Sequence, residues 1–158
     1  MKRLLVVIAI VVLLAGCGKS TESDVDGHTG CYDNEYSAGI ERIGVLSSTD
    51  GGESWDFLGD ACFHAMNLIP VDPSPLAVDD GIALYFLDLL TLNRPDSDTV
   101  IYRAETEDGL EFSEPIFALT YPNDITDPYV LRLDDGTYRM FVGSPADPAS
   151  IISASSGN

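Results

Sequence analysis

The sequence predicts an all-β fold assembled from four-stranded antiparallel units. A motif at 71–81 returns at 126–136, each residue 55 positions later, with Asp-Pro near its start and Asp-Asp-Gly at its end. A second motif, a turn rich in Asp and Gly, alternates with the first along the chain. No segment after residue 40 has helical periodicity. Repeats of this length made of short β-rich runs are typical of repeated sheets.

The first motif predicts a hairpin in each of its two copies. Each copy ends in an Asp-Gly pair and continues into a second β-rich run. Such a pair between β-rich runs is the strongest short-range hairpin signal, because a type I′ turn needs two residues at positive φ. The sequence therefore predicts antiparallel strands at about 73–78 and 82–88, and again at 129–133 and 137–142.

The second motif has the form Ser-x-Asp-x-Gly-x-x-Trp. It occupies 48–55, and a shorter copy with Phe in place of Trp occupies 106–112. In such a turn the Asp accepts backbone N–H groups, the Gly takes a left-handed conformation and the aromatic ring packs beneath the hairpin. The pattern predicts structural roles for Ser48, Asp50, Gly52, Trp55, Asp108, Gly109 and Phe112.

Strands from the two motifs combine into one complete unit with partial units on either side. The predicted strands are 40–48 and 54–58 before it, 73–78, 82–88, 99–105 and 111–118 within it, and 129–133, 137–142 and 150–155 after it. Four antiparallel strands repeating every 40–50 residues or so are typical of a β-propeller blade. About two and a half blades in 39–158 do not close a ring. We therefore expect an N-terminal piece of a longer protein, with assembly of several chains into one ring as the alternative.

The N-terminus predicts export and lipid attachment. Two basic residues precede an apolar run at 4–14, which is too short to span a bilayer as a helix and is typical of a secretory signal. The run ends in Leu-Ala-Gly-Cys, which resembles the lipobox of bacterial lipoproteins. The resemblance implies removal of 1–16 as a signal peptide and acylation of Cys17; an ordinary signal peptide is the alternative. Residues 17–38 then form a polar tether.

Charge and cysteine content restrict the partners and the location. The net charge of −18 repels nucleic acid and anionic headgroups, so lipid on Cys17 is expected to hold the protein at a membrane. Gly18 follows where an Asp would favour the inner membrane of Gram-negative bacteria, so the outer membrane or cell surface is expected. Outside the cytoplasm Cys31 and Cys62 can form a disulfide, or remain two free thiols. No cofactor or metal is expected, because no phosphate loop or metal-ligand spacing occurs.

The Asp-Pro strand, Asp-Gly turn and aromatic strand resemble the innermost hairpin of five-bladed glycoside hydrolases, the arabinanase and β-xylosidase group and the invertase and levansucrase group. The second motif is similar to the Asp-box of six-bladed sialidases. The resemblance covers about 40–155 and implies that Asp72 is the catalytic base or nucleophile, with Asp127 orienting the substrate or tuning the acid. Thr126 departs from the Arg of the invertase pattern. No residue matches the general acid, and Glu114 is expected on an outer strand.

These observations favour a membrane-anchored, exported, carbohydrate-active propeller that hydrolyses or binds sugars. A five-bladed ring is expected, with six blades as the alternative. The competing function is a non-catalytic propeller lipoprotein that binds protein partners at the cell surface. Under that alternative, Asp72 and Asp127 are turn residues whose side chains hold the backbone before a proline.

Replacement of Cys17 by Ser tests the anchor. The variant should leave the membrane fraction and lack lipid mass, because several acyl chains contribute about 0.8 kcal/mol of membrane affinity per buried CH₂. Fractionation and intact-mass spectrometry measure both properties, with Cys31→Ser as the matched control. Lipid mass on the Cys17→Ser protein would contradict the prediction.

Overall fold

The computed structural model describes six segments of the chain. They are 7–12, as backbone only, and 42–63, 68–92, 98–122, 124–144 and 150–156. These segments form strands and contain no helix, which confirms the all-β class; among them no helix is long and apolar enough to cross a membrane. The strands are β1 (Val7–Val12), β2 (Ile43–Ser48), β3 (Asp56–Asp60), β4 (Cys62–Phe63), β5 (Pro70–Val78), β6 (Gly81–Asp88), β7 (Thr99–Thr106), β8 (Glu111–Phe112), β9 (Ile116–Tyr121), β10 (Thr126–Arg132), β11 (Tyr138–Gly143) and β12 (Ile151–Ser156).

Three antiparallel sheets contain most of these strands. Sheet I has the order β1-β2-β3, sheet II the order β5-β6-β7-β9 and sheet III the order β10-β11-β12. Sheet II is the four-stranded unit that the sequence predicts. The predicted strand at 111–118 divides, however: β8 pairs in parallel with β4, and β9 begins only at Ile116. No closed ring is formed by the described segments.

Sheet II lies between the other two sheets because β6 is apolar on both faces. Successive residues of a strand point to opposite faces. Leu84 and Phe86 therefore pack into one cluster with Ile43 and Val45 of sheet I. The alternate residues, Ala83, Tyr85 and Leu87, pack into a second cluster with residues of sheet III, namely Val130, Met140 and Val142.

A disulfide lies at the edge of the first cluster. Cys62 is buried and disulfide-bonded, and its N–H donates to the carbonyl of Leu110 at 2.8 Å. The adjacent Phe63 ring lies 4.7 Å from that of Phe86 and 5.0 Å from that of Phe112. The proposed partner Cys31 and the proposed lipid site Cys17 lie outside the described residues, as does most of the predicted signal peptide and tether.

The two hairpins differ in length by one residue. In sheet II Val78 pairs with Gly81, so two residues form the loop. In sheet III the N–H of Leu133 donates to the carbonyl of Thr137 at 2.8 Å, so the loop has three residues. The constant offset of 55 is therefore wrong for the second strand of the hairpin, where equivalent residues lie 56 apart. One residue of slip moves every side chain to the opposite face of a sheet.

The predicted type I′ turn geometry is also wrong. Asp80 and Asp135 are not among the described residues with positive φ, whereas Gly136 has a φ of 84°. The N–H of Gly136 donates to the carbonyl of Leu133 at 2.9 Å. A turn closed in this way and followed by a left-handed Gly is the usual three-residue hairpin loop. An Asp-Gly pair fits either loop, and here the Gly alone takes the left-handed conformation.

Gly81→Ala should destabilise the protein strongly, because an added Cβ would lie 2.1 Å from the carbonyl oxygen of Thr106. Gly51→Ala is the matched control: Gly51 also has a positive φ, of 82°, but nothing lies within 4 Å of its Cβ position. The control should lose only the backbone cost of about 1–2 kcal/mol. Urea unfolding measures both losses, and equal losses would contradict the close approach.

Candidate functional site

Asp72 and Asp127 adopt the same uncommon backbone conformation at equivalent positions. Each has a φ of 50°, precedes a proline and lies in a bulge near the start of the first strand of its sheet. Positive φ costs an L-residue about 1–2 kcal/mol, and Asp and Asn tolerate it best because their short side chains bond locally. The two repeats therefore keep the same strained backbone geometry at both Asp residues.

The structure brings these two residues into contact. The N–H of Asp127 donates to Oδ2 of Asp72 at 3.4 Å. Further along the same strands, the N–H of Val130 donates to the buried Ser74 hydroxyl at 3.1 Å. The strands β5 and β10 therefore lie side by side with their bulges at the same end. The two carboxyl groups share one rim of the molecule.

The two carboxyl groups at the rim differ in their exposure to solvent. Asp72 is half-buried, and this burial raises its pKa above the ordinary value of 3.8. The N–H of Asp127 opposes the shift, and the Asp127 carboxylate adds to it. Asp127 itself is exposed. The site therefore combines one partly desolvated carboxyl group with one solvated carboxylate, and no group of metal-ligating residues occurs in the described part of the chain.

Asp88 supports the start of β5 and was not singled out by the sequence patterns. Its buried carboxylate accepts the N–H of Ile69 at 3.0 Å and the N–H of Leu90 at 3.1 Å. Pro70, two residues before Asp72, pairs with Asp88 across the hairpin. The sequence signal for this role is a single carboxylate at the end of an apolar strand. Such a carboxylate is expected to be buried, and a buried carboxylate needs hydrogen-bond donors nearby.

The turn at 48–55, here called the first Asp-box turn after the motif that it resembles, is stabilised by hydrogen bonds among its own residues. Oδ1 of Asp50 accepts the hydroxyl of Ser48 at 2.7 Å and the N–H of Ser54 at 3.0 Å. Hydrogen bonds from Ser54, then from Ser48, hold the pKa of Asp50 well below its ordinary value. The N–H of Gly52 donates to the Ser48 hydroxyl at 2.8 Å, and Nε1 of Trp55 donates to the carbonyl of Gly52 at 3.1 Å.

The second such turn, at 106–112, is also held by an Asp carboxylate and a hydroxyl, but Asp108 accepts N–H groups closer in sequence than Asp50 does. Oδ1 of Asp108 accepts the N–H of Leu110 at 2.8 Å and the hydroxyl of Thr106 at 2.9 Å. These hydrogen bonds lower the pKa of Asp108, and the one from Leu110 has the largest effect. The N–H of Gly109 donates to the Thr106 hydroxyl at 3.0 Å, and Phe112 is buried. This turn lies beside Gly81, at the end of β5 opposite to Asp72.

Arg103 of sheet II and Arg132 of sheet III are engaged away from the rim. Arg132 pairs with Asp79 at 3.3 Å, in the hairpin turn at the opposite end of β5 from Asp72. Arg103 pairs with Glu105 and lies over the Tyr85 ring at 5.9 Å. These contacts do not assemble the arginine set of a sialidase. The prediction that Glu114 lies on an outer strand is wrong: it is exposed in the connection between β8 and β9, because the predicted strand divides there.

Asp72→Asn should stabilise the protein at neutral pH. Because the pKa of Asp72 is raised on folding, the folded state binds its proton more tightly than the unfolded state does. Wild-type stability therefore falls as the pH rises from 3.8 through the raised pKa, whereas Asn stays neutral and tolerates a φ of 50°.

Urea unfolding of both proteins between pH 3 and pH 7 measures the effect. The advantage of Asp72→Asn should shrink as the pH falls towards 3. The control is Asp134→Asn, which removes one carboxyl group from an exposed hairpin turn. A loss of stability in Asp72→Asn that is the same at every pH would contradict the prediction.

The chain was compared with protein-family models and with curated proteins. No protein-family model matches the chain, and no curated protein matches it. The functional interpretation therefore rests on the two carboxyl groups at the rim, the order of the sheets and the motifs of the sequence.

Proposed function

We propose that the chain contributes blades and a sugar-binding rim to a carbohydrate-active β-propeller of the glycoside hydrolase type. In a propeller each blade turns one face to the preceding blade and the other to the next. Once the longer hairpin is allowed for, Leu84 and Phe86 of sheet II correspond to Met140 and Val142 of sheet III. The first pair packs against sheet I and the second pair packs against sheet II. In both sheets, therefore, the equivalent face is directed towards the preceding sheet along the chain. This order supports the propeller interpretation.

The paired carboxyl groups carry the functional proposal. Glycoside hydrolysis normally uses two carboxyl groups in different protonation roles around the scissile bond. Asp72 and Asp127 occupy the first strands of neighbouring sheets, which are the innermost strands of propeller blades, and meet at one rim. The raised pKa of Asp72 suits a base, because a base works best with a pKa near the working pH. Asp127, exposed beside it, is placed to orient a sugar hydroxyl.

The proposed location is the outer membrane or cell surface, with lipid on Cys17 as the anchor and 17–38 as the tether. A net charge of −18 gives the protein no electrostatic attraction to an anionic bilayer, which makes a lipid the more plausible attachment. The rim would then face carbohydrate outside the membrane.

A second candidate is a propeller that binds protein partners without catalysis. Large apolar side chains on the outermost strands favour it: Phe57 of β3 is 59% exposed and Phe117 of β9 is 70% exposed. Exposed aromatic residues are common where proteins bind one another. On this alternative the Asp-Pro bulges only shape the rim.

Kinetics of the intact protein on aryl glycosides test the proposal. Asp72→Asn should lower kcat on the order of 10³-fold with little change in KM, because Asn keeps the shape of the side chain but cannot serve as base or nucleophile. Asp127→Asn should mainly raise KM, and Asp134→Asn should behave as wild type.

The outcomes separate the two candidates. Equal turnover by wild type and Asp72→Asn would remove Asp72 from the chemistry. Oligosaccharide binding that is lost in both rim variants, without turnover, would indicate a sugar-binding propeller. Wild-type protein with neither turnover nor binding to a panel of oligosaccharides would leave the protein-binding alternative as the better account.

A further inference from the structure

The outer face of sheet III, defined by Tyr129, Phe141 and Ile151, is largely apolar, with Arg139 and Ser153 on the same face, and has no covering sheet among the described segments. Tyr129 pairs with Phe141 across β10 and β11, so both side chains lie on the same face. Ile151 pairs with Gly143, two residues beyond Phe141, and so lies on that face too. Tyr129 is 59% exposed and Ile151 is 76% exposed. Contiguous apolar surface of this kind marks an interaction site.

This face has a covered counterpart within the same molecule. Ser74 pairs with Tyr85 in sheet II as Tyr129 pairs with Phe141 in sheet III, so Tyr85 and Phe141 are equivalent residues. Tyr85 is buried because sheet III packs against it. The outer face of sheet III is therefore the same kind of surface that, one sheet earlier, accepts another sheet.

The opposite end of the molecule has the complementary surface. The outer face of sheet I, defined by Leu46 and Phe57, lies opposite to Ile43 and Val45, which pack against sheet II. Alignment of the two Asp-box turns, Ser48 with Thr106, makes Leu46 equivalent to Ala104. Ala104 is buried on the face of sheet II that sheet I covers. Phe57 pairs with Leu46 and is 59% exposed.

We propose that a second copy of this chain docks head to tail, with the outer face of sheet III of one copy against the outer face of sheet I of the next. This contact would repeat the sheet-to-sheet interface that already occurs twice within one chain. On sheet I it is defined by Leu46 of β2 and Phe57 of β3. The inference is independent of sugar binding and of Asp72.

Head-to-tail contacts are heterologous, and they form a ring when the rotation between copies closes. The described segments of each chain form three antiparallel sheets of three or four strands, so two copies would supply about six, which is within the range of known propellers. The charge of −18 on each copy opposes the contact, whereas the two faces are apolar. Association should therefore strengthen when salt screens the repulsion.

Paired variants test the orientation of this contact. Phe141→Glu blocks the outer face of sheet III, and Phe57→Glu blocks the outer face of sheet I. Sedimentation equilibrium of the full chain in density-matched detergent should show self-association of the wild type that increases with NaCl. Each variant alone should have a dissociation constant raised on the order of 30-fold or more.

An equimolar mixture of the two variants should form dimers, because each supplies the face that the other lacks. Phe117→Glu, an exposed aromatic replacement on sheet II, is the control and should associate as wild type does. Circular dichroism of every variant should match wild type, since the changed side chains are at least partly exposed.

Three results would overturn the proposal. One is a wild-type protein that stays monomeric up to about 100 μM in high salt, a range in which weak specific complexes are populated. Another is a mixture of the two variants that stays monomeric. The third is self-association of either variant with wild-type affinity, because that behaviour belongs to a symmetric contact of one face with itself.

Discussion

The strand β6 has no charged side chain between Gly81 and Asp88, and its residues on both faces are apolar apart from the hydroxyl of Tyr85, so exposure of either face to water would be costly. One face is covered by sheet I and the other by sheet III. Full burial of a side chain such as Leu84 or Phe86 contributes about 1.5–3 kcal/mol, so both neighbours are needed for sheet II to be stable. The positions of all three sheets, and hence the contact between β5 and β10, follow from this one strand.

The site depends on that contact in a direct way. Two bulges with positive φ cost backbone energy, and the surrounding pairing of β5 with β6 and of β10 with β11 holds them in place. Their proximity comes from packing of sheet II against sheet III rather than from closeness in sequence. Strain of this kind is concentrated where a protein positions reactive or binding groups.

Much of the strand arrangement could be predicted from the sequence because apolar runs and turn residues repeat. The meeting of Asp72 and Asp127 followed from their equivalent positions in the repeat. The longer hairpin of sheet III could not be predicted, because an Asp-Gly pair is compatible with loops of two and of three residues. That one residue decides which face Phe141 occupies. Separation of β8 from β9 depends on β4, whose two residues carry no strand pattern of their own.

The stacking of the three sheets determines where local unfolding begins. Among the described segments each outer sheet packs against one neighbour and sheet II packs against two, so the three sheets form a short linear array. Local unfolding in such an array starts at the termini of the stack and spreads inwards. Amide protons of β6 and β7 would then exchange most slowly, and the rim between β5 and β10 would open whenever sheet III detaches. The lifetime of the candidate site is thus limited by the second cluster, which holds sheet III against sheet II.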